Sequence, residues 1–70
     1  MYKKPCECLY HVFSDGIDEW VKDLKEAVSI AKELRRQYGC VRIYKETDWD
    51  NVKGVFTHED CILSFGHFPY

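Results

Sequence analysis

Four cysteines and three histidines are the side chains of this sequence that could bind a metal or supply a nucleophile and its base. Cys6 and Cys8 form a C-x-C pair, and in an extended strand both thiols would point to one face. A closed zinc site usually combines two close ligand pairs, whereas Cys40 and Cys61 stand alone. We therefore expect reduced, buried thiols, no metal and no cofactor. The alternative is a weak zinc site completed by histidines. These are His11, His58 and His67.

A catalytic centre is not indicated by the remaining motifs. The four glycines are too dispersed to form a phosphate-binding loop. No local pattern orients a histidine as the base of a serine or cysteine nucleophile, and 70 residues build one small core with little room for a water-excluding pocket. The sequence therefore predicts a protein that is not an enzyme.

Charge and hydropathy limit the partners. Ten Lys and Arg against 12 Asp and Glu give a net charge of -2, which is too weak to hold nucleic acid by bulk attraction. The chain has no apolar run of signal-peptide or membrane-spanning length. We expect a cytoplasmic protein with no membrane partner, and the charge disfavours a nucleic-acid partner.

The strongest local signal predicts a helix from about Leu24 to Tyr38, because apolar residues recur there at spacings of three and four. Asp23 followed by Glu26 is typical of a helix start. Gly39 is typical of a helix end, since glycine readily adopts the left-handed conformation.

Strand patterns flank this helix. Residues 8–13 and 17–22, separated by Ser14-Asp15-Gly16, predict a hairpin; the alternative is a helix that starts near Ser14. Residues 40–46, 51–57 and 61–65 predict an antiparallel meander. The expected fold is one α+β domain over residues 1–70, with a mostly antiparallel sheet of four or five strands and a single helix on one face. The order is β-β-α-β-β-β, or alternatively β-α-β-β-β. The apolar tail at 66–70 is expected to pack on the fold or on a partner.

One helix about 22 Å long can cover only one face of such a sheet, so the other face is left for water or for a partner. Tyrosine, tryptophan and arginine are enriched at binding hot spots. The candidate binding residues are Tyr10, Arg42, Tyr44 and Trp49. Trp49 is singled out because it lies between two aspartates in an expected polar turn; the alternative is that its ring folds back over the sheet edge. An ordinary amphipathic sheet surface is the alternative for the two tyrosines. Alternation along the strands assigns six residues to the core: Val41, Ile43, Val52, Phe56, Leu63 and Phe65.

The layout resembles that of small single-domain α+β proteins encoded by bacteriophages, some of which inhibit host defence systems by occupying a protein surface. The resemblance rests on the helix entry Asp23-Leu24-Lys25-Glu26-Ala27, the Ala27/Ala31 spacing, Tyr38-Gly39 and the strand Val41-Arg42-Ile43-Tyr44. It covers about half of the chain and carries no functional motif. It implies a stoichiometric binder rather than a catalyst.

We therefore expect a non-enzymatic module that binds a protein partner through the uncovered face. A homodimer that buries Tyr10 and Tyr44 is the first alternative. A single-stranded nucleic-acid binder is the second; it would use Arg42, Tyr44, Lys45 and Lys53, against repulsion from nearby acidic residues.

Overall fold

The computed structural model describes residues 1–66. From Leu9 onward the chain forms two β-hairpins joined by a helix. Along the chain the elements are β1 (Leu9–Ser14), β2 (Ile17–Val21), α1 (Leu24–Tyr38), β3 (Val41–Asp50) and β4 (Val55–Phe65). The strands form one antiparallel sheet in the order β2-β1-β3-β4. The α+β prediction is confirmed in its four-stranded version. The tail at 67–70, including His67, lies outside the described residues.

The first hairpin lies where its sequence predicts, with a loop of two residues, because Ser14 belongs to β1 rather than to the turn. Ser14 pairs with Ile17 across Asp15-Gly16, and Gly16 takes a φ of 76°, which a residue with a side chain rarely adopts. The hairpin prediction is therefore confirmed over the alternative of a longer helix.

Both predicted ends of α1 are also confirmed. The Asp23 carboxylate accepts a hydrogen bond from the backbone N–H of Lys25. Gly39 is left-handed and donates its own N–H to the Arg35 carbonyl at 2.8 Å. The buried stripe between these ends consists of Ala27, Ala31 and Leu34, and its small side chains let the helix lie close to the sheet.

The predicted three-strand meander is wrong, because β3 and β4 form one long hairpin from the pair Val41–Phe65 to the pair Asp50–Val55. Its turn lies at 51–54 instead of at the two expected polar turns. The Asp50 carboxylate accepts the N–H groups of Val52 and Lys53 at 2.9 and 3.0 Å, and Gly54 closes the turn at a φ of 71°. Thr47 and the polar residues at 58–60 remain in the strands because their backbones pair across the hairpin. Asp48 departs from strand conformation, since its φ is 61°.

The core lies between α1 and the two central strands. The helix packs mainly against β1 and β3, where Val12, Val41 and Ile43 are fully buried. The prediction that Val52 is a core residue is wrong, since it lies in the turn and is 72% exposed. Phe65 is also exposed at the sheet edge, where the Arg35 guanidinium lies 4.5 Å from its ring centre.

One polar side chain is fully buried in this core. The Ser14 hydroxyl donates to the Cys40 carbonyl at 2.7 Å and so ties the end of β1 to the start of β3. That carbonyl follows the helix end directly, so the bond links both hairpins to the helix.

Replacing Ser14 by alanine should lower the free energy of unfolding by about 1–3 kcal/mol, because the Cys40 carbonyl would lose its buried donor. Urea denaturation measures the change. Ser64→Ala, at an exposed position of β4, is the matched control and should change stability by less than about 0.5 kcal/mol. Equal effects of the two variants would contradict the assigned role.

Candidate functional site on the open sheet face

The side chains that alternate with buried Val12 in β1 point away from the helix, and the strand register determines what lies beside them. His11 pairs with Trp20 of β2 on one side and with Tyr44 of β3 on the other. Phe13 pairs with Arg42 in the same way. The sheet face opposite the helix, called the open face below, therefore gathers residues from three strands.

Four rings on this face form an aromatic cluster around His11. The imidazole lies parallel to the Trp20 indole, with ring centres 4.3 Å apart and planes 4° apart. The rings of Tyr44 and Phe13 lie 6.0 and 6.2 Å from that imidazole. Only 15% of the His11 side chain is exposed, whereas Trp20 is 53% exposed. The aromatic cluster thus has a covered centre and an accessible indole.

Hydrogen bonds orient these rings. His11 Nε2 lies 2.7 Å from a carboxylate oxygen of Asp18, and the Trp20 indole N–H donates to Glu46 Oε2 at 2.9 Å. Arg42 donates to the Tyr44 hydroxyl at 3.5 Å. Because each partner is held by a regular strand, the rings are positioned before any ligand arrives.

The end of the open face near Glu46 is acidic. Glu46 pairs directly with Glu59 of β4, an arrangement in which two carboxylates repel each other. A nitrogen of His11 and one oxygen of each glutamate lie within 4.8 Å of one another. These are atoms of the kinds that bind divalent cations.

The structure brings two of the four predicted binding residues, Arg42 and Tyr44, together on the open face. It places Tyr10 elsewhere: the expected exposure of this residue is wrong, because it lies in the core on the helix side, beside Val12 and the helix alanines. A hydrogen bond with the Cys8 thiol, together with burial, raises the pKa of the Tyr10 hydroxyl above its ordinary value.

Trp49 lies in strand β3 beyond the end of β1, so its expected position in a polar turn is also wrong. Its ring packs edge-on against Phe56 at 5.1 Å, and its indole N–H donates to the Tyr2 carbonyl at 3.0 Å. Tyr2 donates its own N–H to the Asn51 carbonyl. Trp49 is therefore held by contacts within the chain, in a second aromatic group apart from the open face.

His11 was predicted only as a possible metal ligand or base and not as part of a binding surface. Trp20, Glu46 and Glu59 were not predicted as site residues. A signal for Trp20 was present: the Asp15-Gly16 loop sets the hairpin register, and that register places Trp20 opposite His11. Glu46 and Glu59 gave no such signal, because their pairing depends on a hairpin turn that was expected elsewhere.

The cysteines are all free and occupy different surroundings. Cys40 is buried, as expected, whereas Cys61 is exposed on β4 and contradicts the expectation of buried thiols. Cys6 and Cys8 are half-buried, and the Cys6 thiol lies 3.0 Å from the Cys8 carbonyl.

Comparison of the chain with protein-family models, with curated proteins and with solved structures finds no match. Within residues 1–66, the helix is neither long enough nor apolar enough to cross a membrane. By its fold the protein belongs to the α+β class, with one antiparallel four-stranded sheet and a helix on one of its faces.

The stacking of His11 on Trp20 should be measurable as a coupling energy. A double-mutant cycle with His11→Ala and Trp20→Ala, read from urea unfolding, should give about 0.5–1.5 kcal/mol of favourable interaction. In proton NMR spectra, Trp20→Leu should also remove the ring-current shift of the His11 ring protons. Additive single variants together with unchanged ring-proton shifts would contradict the stack.

Tyr10 should make stability fall at high pH. Burial and the bond with Cys8 raise the pKa of Tyr10 in the folded protein above its ordinary value of 10.0, so its contribution is complete below pH 10 and is lost as the pH rises through the folded pKa. Above pH 10, the wild-type free energy of unfolding should therefore fall more steeply than that of Tyr10→Phe. Tyr38→Phe, which removes an exposed hydroxyl, is the control. Parallel curves for wild type and Tyr10→Phe would argue against the assignment.

Proposed function

We propose that this protein is a non-enzymatic binding module that docks a partner protein on its open face. The observation that carries the proposal is the preorganised aromatic cluster, with exposed Trp20 beside Tyr44 and Arg42. Aromatic and arginine side chains supply most of the binding energy at protein interfaces, especially when they are rigid before binding.

The shape of the face suits a macromolecule better than a small ligand. Small-molecule sites are concave, and two hollows of this molecule lie along the helix: one beside Asp23 and Leu24, the other between Ala31 and Leu63. The aromatic cluster instead lies on the pleated surface of three strands. Side chains spread over three neighbouring strands can contact a partner protein along the length of the face.

The charge of the face favours a protein over nucleic acid. Stacked rings and Arg42 could receive bases, but Asp18, Glu46 and Glu59 line the same face and would repel a phosphate backbone. A protein partner can instead present cationic or neutral groups to these carboxylates.

Self-association is the nearest alternative. Features of strand β4 disfavour a dimer in which two copies pair edge to edge along that strand. Strand β4 is an edge strand of 11 residues, but Ile62 forms a bulge there and His58-Glu59-Asp60 adds charge. Bulges and charges are devices that oppose edge-to-edge pairing. Pairing of two copies through the β4 edge is therefore disfavoured.

A stoichiometric inhibitor of the bacteriophage type is one form of this proposal. Inhibition of this type requires only that the open face bind to a surface through which the partner protein performs its own function. No chemical step is assigned to the face.

Tyr44→Ala and Trp20→Ala should each weaken partner binding at least tenfold, as expected for hot-spot residues. The partner is first captured in cells of the source organism, with a photo-crosslinking amino acid placed at position 44 or, as control, at position 38. Binding of the purified partner is then measured by calorimetry. Tyr38→Ala is the matched control because it removes an exposed tyrosine from the end of the helix.

Three results would overturn the proposal. They are crosslinks that form equally from positions 38 and 44, binding that survives both open-face variants, and crosslinks at position 44 only to a second copy of this chain. Light scattering over a range of concentrations identifies the last case, because self-association raises the average molar mass in solution as the protein concentration increases. Thermal unfolding of each variant confirms that a loss of binding is not a loss of folding.

A further inference from the structure

We infer that the open face carries a binding site for a divalent transition-metal ion of the zinc type, with His11, Glu46 and Glu59 as its ligands. This inference departs from the expectation that the chain binds no metal, and it does not depend on the proposed protein partner. One imidazole and two carboxylates form a donor set that zinc accepts.

The three donor atoms are already gathered. They lie within 4.8 Å of one another, whereas zinc bonds of about 2.1 Å at tetrahedral angles would place them roughly 3.4 Å apart. Rotation of the exposed Glu59 side chain can bring its carboxylate toward the other two donor atoms. His11 is the anchor, since its ring is stacked on Trp20 and mostly buried.

The backbone holds the ligands on three adjacent strands. His11 lies on β1, Glu46 on β3 and Glu59 on β4, and the two glutamates are paired directly across the hairpin. A site on regular strands holds its geometry better than a site on loops.

Two hydrogen bonds from outside the ligand set orient its members. Asp18 holds one ring nitrogen of His11 at 2.7 Å; in metal sites, a carboxylate in this position orients an imidazole whose other nitrogen binds the ion. The Trp20 indole N–H holds one oxygen of Glu46 at 2.9 Å, leaving the other oxygen available.

The two glutamate carboxylates would favour a cation at this position. Glu46 and Glu59 face each other as like charges, and among residues 1–66 neither forms an ion pair with a lysine or an arginine. A divalent ion between them would replace repulsion with two favourable contacts. Three protein ligands would leave one tetrahedral position for water.

The cysteines are the competing zinc ligands, and within residues 1–66 none of their thiols belongs to this group of three donor atoms. Cys8 packs against the core on the helix side, and Cys6 bonds to its carbonyl. Cys61 shares the open face, since it pairs with Tyr44 and lies two residues from Glu59 on β4. Thiolate binding can be recognised with cobalt(II), because sulfur ligands give an intense charge-transfer band that nitrogen and oxygen ligands do not give.

The test is calorimetric titration of the purified, reduced full chain with zinc chloride, repeated with cobalt(II) under optical absorption. We expect one equivalent of each metal to bind and no thiolate band in the cobalt complex. Glu59→Gln, at an exposed position, should weaken zinc binding at least tenfold. Asp18→Asn should weaken it by about 10–100-fold through loss of the orienting carboxylate.

Glu19→Gln and His58→Asn are the matched controls, because both residues are exposed and neither belongs to the ligand set. They should bind zinc as the wild type does. Absence of zinc binding, a thiolate band, or wild-type affinity in Glu59→Gln would each overturn the site. Because Glu59→Gln changes one exposed side chain, its thermal unfolding curve should stay close to that of the metal-free wild type.

Discussion

The packing of one narrow helix stripe against two central strands is the contact on which the rest of the structure depends. Ala27 and Ala31 present little bulk, so the helix lies close to the sheet and, together with Leu34, helps to bury Val12 and Ile43 fully. The same contact limits what the helix can reach, since it packs mainly on β1 and β3 and less on the two edge strands. One face of the sheet is therefore a core, and the opposite face must be stabilised by its own side chains.

The open face meets that requirement with rings and hydrogen bonds. His11 is mostly buried although no helix covers it, because Trp20 stacks on it and Tyr44 lies on its other side. Asp18 and Glu46 hold the polar atoms of these rings. The contacts that stabilise the sheet face opposite the helix thus also make it rigid, and rigidity is what both a docking surface and a metal site require.

The second hairpin extends beyond the end of β1, so its outer part is a ribbon of two strands that is stabilised by other contacts. An isolated two-stranded ribbon is marginally stable in water. Here Trp49 packs on Phe56, and the N-terminal segment is bonded to the ribbon through Tyr2. The molecule is consequently elongated, with extents of 40 × 25 × 17 Å, and Trp49 serves the ribbon rather than the open face.

The amino-acid sequence by itself determined the helix with both of its ends, the first hairpin and the shortage of helix to cover two sheet faces. These features depend on neighbours a few residues apart: Asp23 with Lys25, Gly39 with Arg35, and the Asp15-Gly16 loop. Only the tertiary structure decided that Tyr10 faces the helix, that β3 and β4 form one hairpin, and that Glu46 meets Glu59. Alternation along a strand defines two sets of side chains but does not say which set the helix covers, and pairing across a long hairpin shifts with the turn that closes it.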